Sequence, residues 1–271
     1  MPESLIDGQP CDRVPVDDRG LLYGDQLFET VAFHAGRAPL WDLHMKRLSR
    51  DAPRLLMPLP DPGLLARECR QLAAGQDRCV IRICLTRGSG GRAYEPPARI
   101  EPRRILIRRP WPADLEPRRR EGICVHTSPV HLAAGSLLAG SKHGSRIEQV
   151  LAAEHARRSG VDEALLFDAS GRLVEAIAGN LVLVIDDQPV TPELGGAGVA
   201  GVGLDWLRSV ESGLFTRALG AEDLRQASAV MVINSVAGIR PVRALDGRRL
   251  TVDPRCRRWQ QSWDRLFECA D

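Results

Sequence analysis

The stretch Gly140-Ser141-Lys142-His143-Gly144-Ser145-Arg146-Ile147-Glu148-Gln149 carries one of only two lysines in the chain, the other being Lys46. All the other members of a set of 37 basic residues are arginine. Arginine serves ion pairs, phosphate contacts and solubility as well as lysine does, but it does not deprotonate to an amine nucleophile. An imine with a carbonyl compound needs that amine, so Lys142 is the first candidate catalytic residue. Ser145 and Glu148 read as an S-x-x-E capping box that opens a helix. Ile147, Val150 and Leu151 read as its buried stripe, with Gly160 after Arg157-Arg158 as the stop. On that reading Lys142 lies three residues before an N-cap, on a turn that presents its amine to a cleft.

The 271 residues, 44% of them hydrophobic, suffice for two modest domains with their own cores. A net charge of +2, with 35 acidic residues matching scattered arginines, asks for neither nucleic acid nor an acidic tail. Seven cysteines, Cys11, Cys69, Cys79, Cys84, Cys124, Cys256 and Cys269, form no C-x-x-C and read as reduced structural thiols of a cytoplasmic protein. No signal-peptide pattern or membrane-spanning run is present, so a soluble protein without membrane or metal partners is expected.

Along the chain, Asp17 to Thr30 is polar and glycine-bearing and leads into a strand from Thr30 to His34. Trp41, Met45, Leu48 and Ala52 have helical spacing, which places His44 and Arg47 on a neighbouring face. Asp61-Pro62 opens a second helix and Gly75 closes it. Cys79 to Thr86 and Arg104 to Arg108 read as strands around the glycine loop Arg87 to Tyr94. Residues 109 to 120 mix proline and charge without periodicity and are taken as the linker between domains 1–108 and 121–271. Beyond it come a strand from Ile123 to Thr127 and a hairpin of Glu163 to Asp168 with Arg172 to Ala176. Further strands are expected at Asn180 to Ile185 and Ala229 to Ile233, an amphipathic stretch around Leu204 to Val210, and a terminal helix from Pro254 to Cys269.

Gly195 to Gly203 offers backbone amides and a helix N-terminus, which suits a phosphate. It contains G-x-G-x-x-G at Gly196, Gly198 and Gly201, but Thr191-Pro192-Glu193 interrupts the approach and the motif falls late in the chain. A dinucleotide fold is therefore disfavoured against a single-phosphate cradle or a plain flexible loop. Asn234-Ser235 at a strand end could add an amide and a hydroxyl or be an ordinary turn, and Arg47 could close on the phosphate or be solvated. Glu175 could be a surface strand residue; a carboxylate near a pyridine nitrogen would keep it protonated and make the ring an electron sink.

These segments together resemble the fold type IV pyridoxal-phosphate enzymes, most closely the aminodeoxychorismate lyases. The resemblance rests on D-D-R-G-L-L-Y-G-D from Asp17 to Asp25, H-M-K-R-L from His44 to Leu48 and R-G-S-G-G-R-A-Y from Arg87 to Tyr94. It continues with S-K-H-G-S-R-I-E-Q from Ser141 to Gln149, E-A-I-A-G-N-L from Glu175 to Leu181 and N-S-V-A-G-I-R-P-V from Asn234 to Val242. It implies an α+β fold: a smaller N-terminal α/β sandwich, a larger C-terminal β-rich domain, and the cofactor in the cleft between them. It implies pyridoxal 5'-phosphate bound through Lys142, Arg47, Glu175, Asn180, Gly201, Val202, Asn234 and Ser235. Lys142 would form the imine, with Thr30 as its partner in proton transfer and Phe28, Arg92 and Tyr94 toward the substrate. The implied reaction is elimination of pyruvate from 4-amino-4-deoxychorismate to give 4-aminobenzoate for folate synthesis. The alternative is an aminotransferase of the branched-chain or D-amino-acid type, and a homodimer is expected. Ile147 stands where branched-chain transaminases of this fold carry Tyr, and Phe28 where D-amino-acid transaminases tend to carry Tyr. Two departures stand near the lysine: Gly144-Ser145 replaces the usual Leu-Asn, and Gln26 replaces a usual glycine.

Overall fold

The computed structural model describes residues 2–268, so Cys269 of the expected terminal helix lies outside the described residues. The chain divides into two compact units, Met1–Trp111 with Ser141–Ser145, and Pro112–Gly140 with Arg146–Asp271.

The first unit contains β1 (Ser4–Ile6), β2 (Gln9–Pro10), α1 (Arg19–Tyr23), β3 (Gln26–His34), α2 (Trp41–Asp51), α3 (Pro62–Ala73), β4 (Arg78–Thr86) and β5 (Arg103–Pro110). Its strands form an antiparallel sheet in the order β2-β1-β5-β4-β3. Strand alternation sends Leu27, Val31 and Phe33 of β3 into a core shared with Met45 and Leu48 of α2 and Leu65, Cys69 and Leu72 of α3. Asp61 caps α3 by accepting from the amides of Gly63 (3.0 Å) and Leu64 (3.1 Å), with Pro62 in the first turn, as the sequence suggests.

Two local expectations here need correction. Asp17 to Thr30 does more than lead into a strand at Thr30. It holds α1, capped by Asp18 on the Gly20 amide (2.8 Å) and ended by Gly24 at φ +66°, and β3 already begins at Gln26. A five-residue helix is too short to show periodicity. Residues 109 to 120, read as linker, hold the end of β5 and most of a helix.

That helix is α4 (Leu115–Glu121), the start of the second unit. It continues with β6 (Ile123–Leu132), α5 (Ile147–Arg158), β7 (Glu163–Asp168), β8 (Leu173–Ala176), β9 (Asn180–Ile185), β10 (Gln188–Pro192) and α6 (Val202–Val210). Then follow β11 (Phe215–Arg217), α7 (Ala221–Gln226), β12 (Ala229–Asn234), β13 (Gly238–Leu245), β14 (Arg248–Arg249) and α8 (Pro254–Asp264). The nine-stranded sheet runs β11-β10-β9-β12-β13-β6-β7-β8, with β14 on β13. Its end strand β8 is joined to the interior strand β9 by a turn closed by the Ala176 amide on the Gly179 carbonyl (2.7 Å). So short a link between strands far apart in the order requires the sheet to curl back on itself. The β7-β8 hairpin and the strands at Asn180 and Ala229 lie where their apolar runs place them.

The capping box is absent. Helix α5 begins at Ile147 with Arg146 at the N-cap and no side-chain cap bond, while Glu148 accepts from the Ala133 amide (3.2 Å). Ser145 belongs instead to an extended segment beside the start of β3. The expected buried stripe is also reversed. Ile147, Val150 and Leu151 are 65%, 59% and 49% exposed, whereas Gln149, Ala152 and Ala156 face inward. Here small residues allow close packing on the sheet, so the apolar period alone chose the wrong face.

Candidate active site

In the first unit, residues 142–144 pair with β3. The Phe28 amide donates to the Lys142 carbonyl (2.9 Å), and the Gly144 amide donates to the Gln26 carbonyl (2.8 Å). Antiparallel pairing puts Lys142 opposite Phe28, and its Nζ lies 4.5 Å from the centre of the Phe28 ring. Thr30, two residues along β3, shares that face with Phe28. The segment is gripped from α2 and the turn after it. Asp51, 1% exposed, accepts from the Lys142 amide (3.3 Å), and Arg54 donates to the Ser141 hydroxyl (2.6 Å).

Arg47 is buried on α2. Its guanidinium holds Glu29 of β3 in a forked ion pair, with Nε 2.8 Å from Oε1 and Nη2 on Oε2. His44 Nδ1 lies 2.6 Å from the same carboxylate. Burial by itself would push the Glu29 carboxyl up, but the charges and hydrogen bonds of Arg47 and His44 outweigh it and hold the group at about 2. Burial pushes the His44 imidazole down, against the opposing pull of the Glu29 carboxylate. Because the Glu29 carboxyl is held at about 2 against an ordinary 4.5, its stabilisation is complete above pH 4.5 and is lost as pH falls toward 2. That difference corresponds to roughly 3 kcal/mol. Urea unfolding across this range should show Glu29→Gln with a shallower loss of stability than the parent. Equal pH slopes for the two proteins would rule out this assignment.

Arg92 and Tyr94 lie on an exposed loop with ordered backbone. Arg19 of α1, 5% exposed, reaches the carbonyls of Ala93 (3.0 Å), Tyr94 (3.0 Å) and Glu95 (3.2 Å) while Asp25 takes its Nε (3.1 Å). The Tyr23 and Tyr94 rings are 5.6 Å apart. Sequence reasoning missed Arg19 as the holder of this loop, because its partners lie more than 70 residues away.

In the second unit, Glu175 of β8 is 4% exposed. It accepts from the Val199 amide (2.8 Å) and from Gln149 Nε2 on α5 (3.3 Å), a partner the sequence did not reveal. Asn180 donates to the Val199 carbonyl (2.8 Å), and a Cβ on Gly201 would run into its side chain. Helix α6 then starts from Gly201 with no side-chain cap, leaving its first amides, Val202 included, available to an anion. At Gly203 the backbone passes so close to Asn234 that a Cβ would stand 2.8 Å from its carbonyl carbon. The Asn234 side chain builds its own turn, accepting from Val236 (3.0 Å) and Ala237 (2.7 Å) and donating to the Ala178 carbonyl (2.8 Å). Ser235 follows it at the end of β12.

The model of the class IV amino-transferases matches residues 26–245. The chain belongs to this family. Among solved structures, similarity extends over nearly the whole chain. 4-amino-4-deoxychorismate lyase from Pseudomonas aeruginosa is 39% identical with a TM-score of 0.90, covering 98% of this chain and 100% of that one. A hypothetical aminotransferase from Mycobacterium tuberculosis in its PLP-bound form is 25% identical with a TM-score of 0.82, covering 95% of this chain and 94% of that one. The aminodeoxychorismate lyase of Vibrio harveyi is 29% identical over 252 residues, 92% of this chain and 93% of that protein. A bifunctional aminodeoxychorismate lyase and D-amino acid transaminase of Mycobacterium tuberculosis is 28% identical over 279 residues, 93% of this chain and 92% of that protein. The fold is the two-domain α+β fold type IV, and the class IV cofactor is pyridoxal 5'-phosphate. The residues fit it chemically: one unit carries an amine on a fixed backbone, and the other a buried carboxylate and an uncapped glycine-led helix N-terminus. Among the described residues no helix is long and apolar enough to cross a membrane.

Proposed function

We propose that the chain is a 4-amino-4-deoxychorismate lyase that releases pyruvate and forms 4-aminobenzoate, a step of folate synthesis. The observation that carries this reading is the 39% identity to a lyase structure along both full chains, against 25% for the hypothetical aminotransferase. When bound, pyridoxal phosphate supplies an aldehyde for the substrate amine and a ring that accepts electrons. Lys142 would hold the cofactor, and its amine would move the proton on the ring carbon that bears the substrate amine. Thr30 orients that amine from the same face of β3. Glu175 holds a proton at the pyridine nitrogen. The amides at Val202 and Gly203, with Ser235, bind the phosphate, and Arg47 adds a positive charge to it. Arg92 and Tyr94 bind substrate carboxylates, and Phe28 packs against the substrate ring. Loss of the enolpyruvyl group makes the ring aromatic, which drives the elimination forward.

The test is the purified holoprotein given aminodeoxychorismate without any 2-oxo acid. Stoichiometric pyruvate and 4-aminobenzoate are expected. A visible band that bleaches only with an amino acid and returns with a 2-oxo acid would assign an aminotransferase instead. The bifunctional relative keeps that reading in view.

We also infer a homodimer. The exposed side chains of Ile147, Val150 and Leu151 form one apolar stripe on α5, which a second copy would cover. Sedimentation should show a dimer, and Val150→Arg with Leu151→Arg should shift it to monomer. A monomeric parent at micromolar concentration would dismiss the inference.

A further inference from the structure

We propose that Gln26 is a substrate-positioning residue that hydrogen-bonds a substrate carboxylate, and that Gly144 leaves the space in which it does so. The substrate class rests on the lyase reading above. Along β3, Leu27, Val31 and Phe33 enter the core of the first unit, so Gln26, Phe28 and Thr30 share the opposite face. That is the face on which Lys142 lies over Phe28. Gly144 pairs with Gln26 as Lys142 pairs with Phe28, which sets Gln26 one same-face step, about 7 Å, from the Phe28 and Lys142 pair.

Gly144 is not glycine for conformational reasons, since it is not among the residues of positive φ. Space requires it. A Cβ there would stand 2.7 Å from Gln26 Nε2 and 2.8 Å from the Gly24 carbonyl oxygen, and closer still to Gln26 Cγ. The Gln26 side chain thus lies across the Gly144 backbone. The two departures from the lyase pattern, at 26 and 144, are in contact and explain each other: a long side chain on one strand requires none on the other.

The Gln26 carboxamide is half-buried and has no hydrogen-bond partner among the described residues. Its N–H donors and carbonyl still reach water, so a substrate carboxylate can take the place of that water. A carboxamide donates to a carboxylate without adding a net charge beside the reacting amine. An arginine there would add one.

The test uses holoenzyme and chorismate, which keeps both carboxylates but has a hydroxyl where the reacting amine belongs. By calorimetry, Gln26→Ala should weaken chorismate binding roughly 10-fold, and Gln26→Glu should weaken it further by like-charge repulsion. With substrate, Gln26→Ala should raise KM by a similar factor and leave kcat within about 2-fold. Equal chorismate affinity in parent and Gln26→Ala, or no chorismate binding by the parent, would overturn the proposal. A parent that releases no pyruvate, but whose chorismate affinity still falls in Gln26→Ala, would remove the lyase reading and keep the role of Gln26.

The contact with Gly144 is read separately in protein without cofactor. Gly144→Ala should lower Tm by about 2–8 °C, and less in a Gln26→Gly background, where only the Gly24 carbonyl still obstructs. The same loss in both backgrounds would show that Gln26 does not lie across Gly144.

Discussion

Lys142→Ala is expected to remove the visible band of the holoprotein and to cut turnover by at least ~10²–10⁴-fold, the range for losing one positioned acid–base group. The loss is chemical. Two contacts that fix residue 142 use its backbone: the carbonyl accepts from the Phe28 amide (2.9 Å), and the amide donates to Asp51 (3.3 Å). Alanine keeps both. What goes is the amine, together with a contact over the Phe28 ring worth about 0.5–1 kcal/mol at a partly exposed site. Tm should therefore move by only a few degrees. Lys46, exposed on α2, is the control, and Lys46→Ala should keep the band and the activity. A small amine in the buffer should restore part of the proton transfer to Lys142→Ala. Survival of the band in Lys142→Ala would place the cofactor's amine elsewhere.

Glu175→Gln should lower turnover on the order of 10²–10³-fold, as for loss of a preorganised electrostatic group, while cofactor binding is largely kept. The Val199 amide (2.8 Å) and Gln149 Nε2 (3.3 Å), both neutral, donate to the carboxylate. Glutamine replaces one acceptor oxygen by an NH2 group, so one of those donors then faces another donor. This mismatch costs about 1–3 kcal/mol in a buried place. The effect on rate is separate from it. A neutral amide does not hold a proton at a pyridine nitrogen as a carboxylate does, so electrons leaving the substrate have a poorer acceptor. Gln149→Ala tests the support alone and should lower activity far less. Full activity in Glu175→Gln would mean that the ring nitrogen needs no carboxylate.

The sequence by itself pointed to the cofactor and to most of the sheet. Lysine scarcity singled out Lys142, since composition needs no partner to be read. Strands such as Cys79 to Thr86 and Asn180 to Ile185 were legible because short apolar runs rich in branched side chains are local signals. Only the tertiary structure decided which charged groups are buried. Arg47, readable as a solvated helix residue, is buried because Glu29, 18 positions earlier, meets it from β3. Arg19, Asp51 and Gln149 have partners more remote still in the chain, and no local pattern announces them. The capping box at Ser145 shows the converse. Its local signal is sound, yet pairing of residues 142–144 with β3 draws the chain into an extended path and moves the helix start to Ile147. Long-range pairing outweighed a cap worth about 1 kcal/mol, and the same pairing holds Lys142 against Phe28.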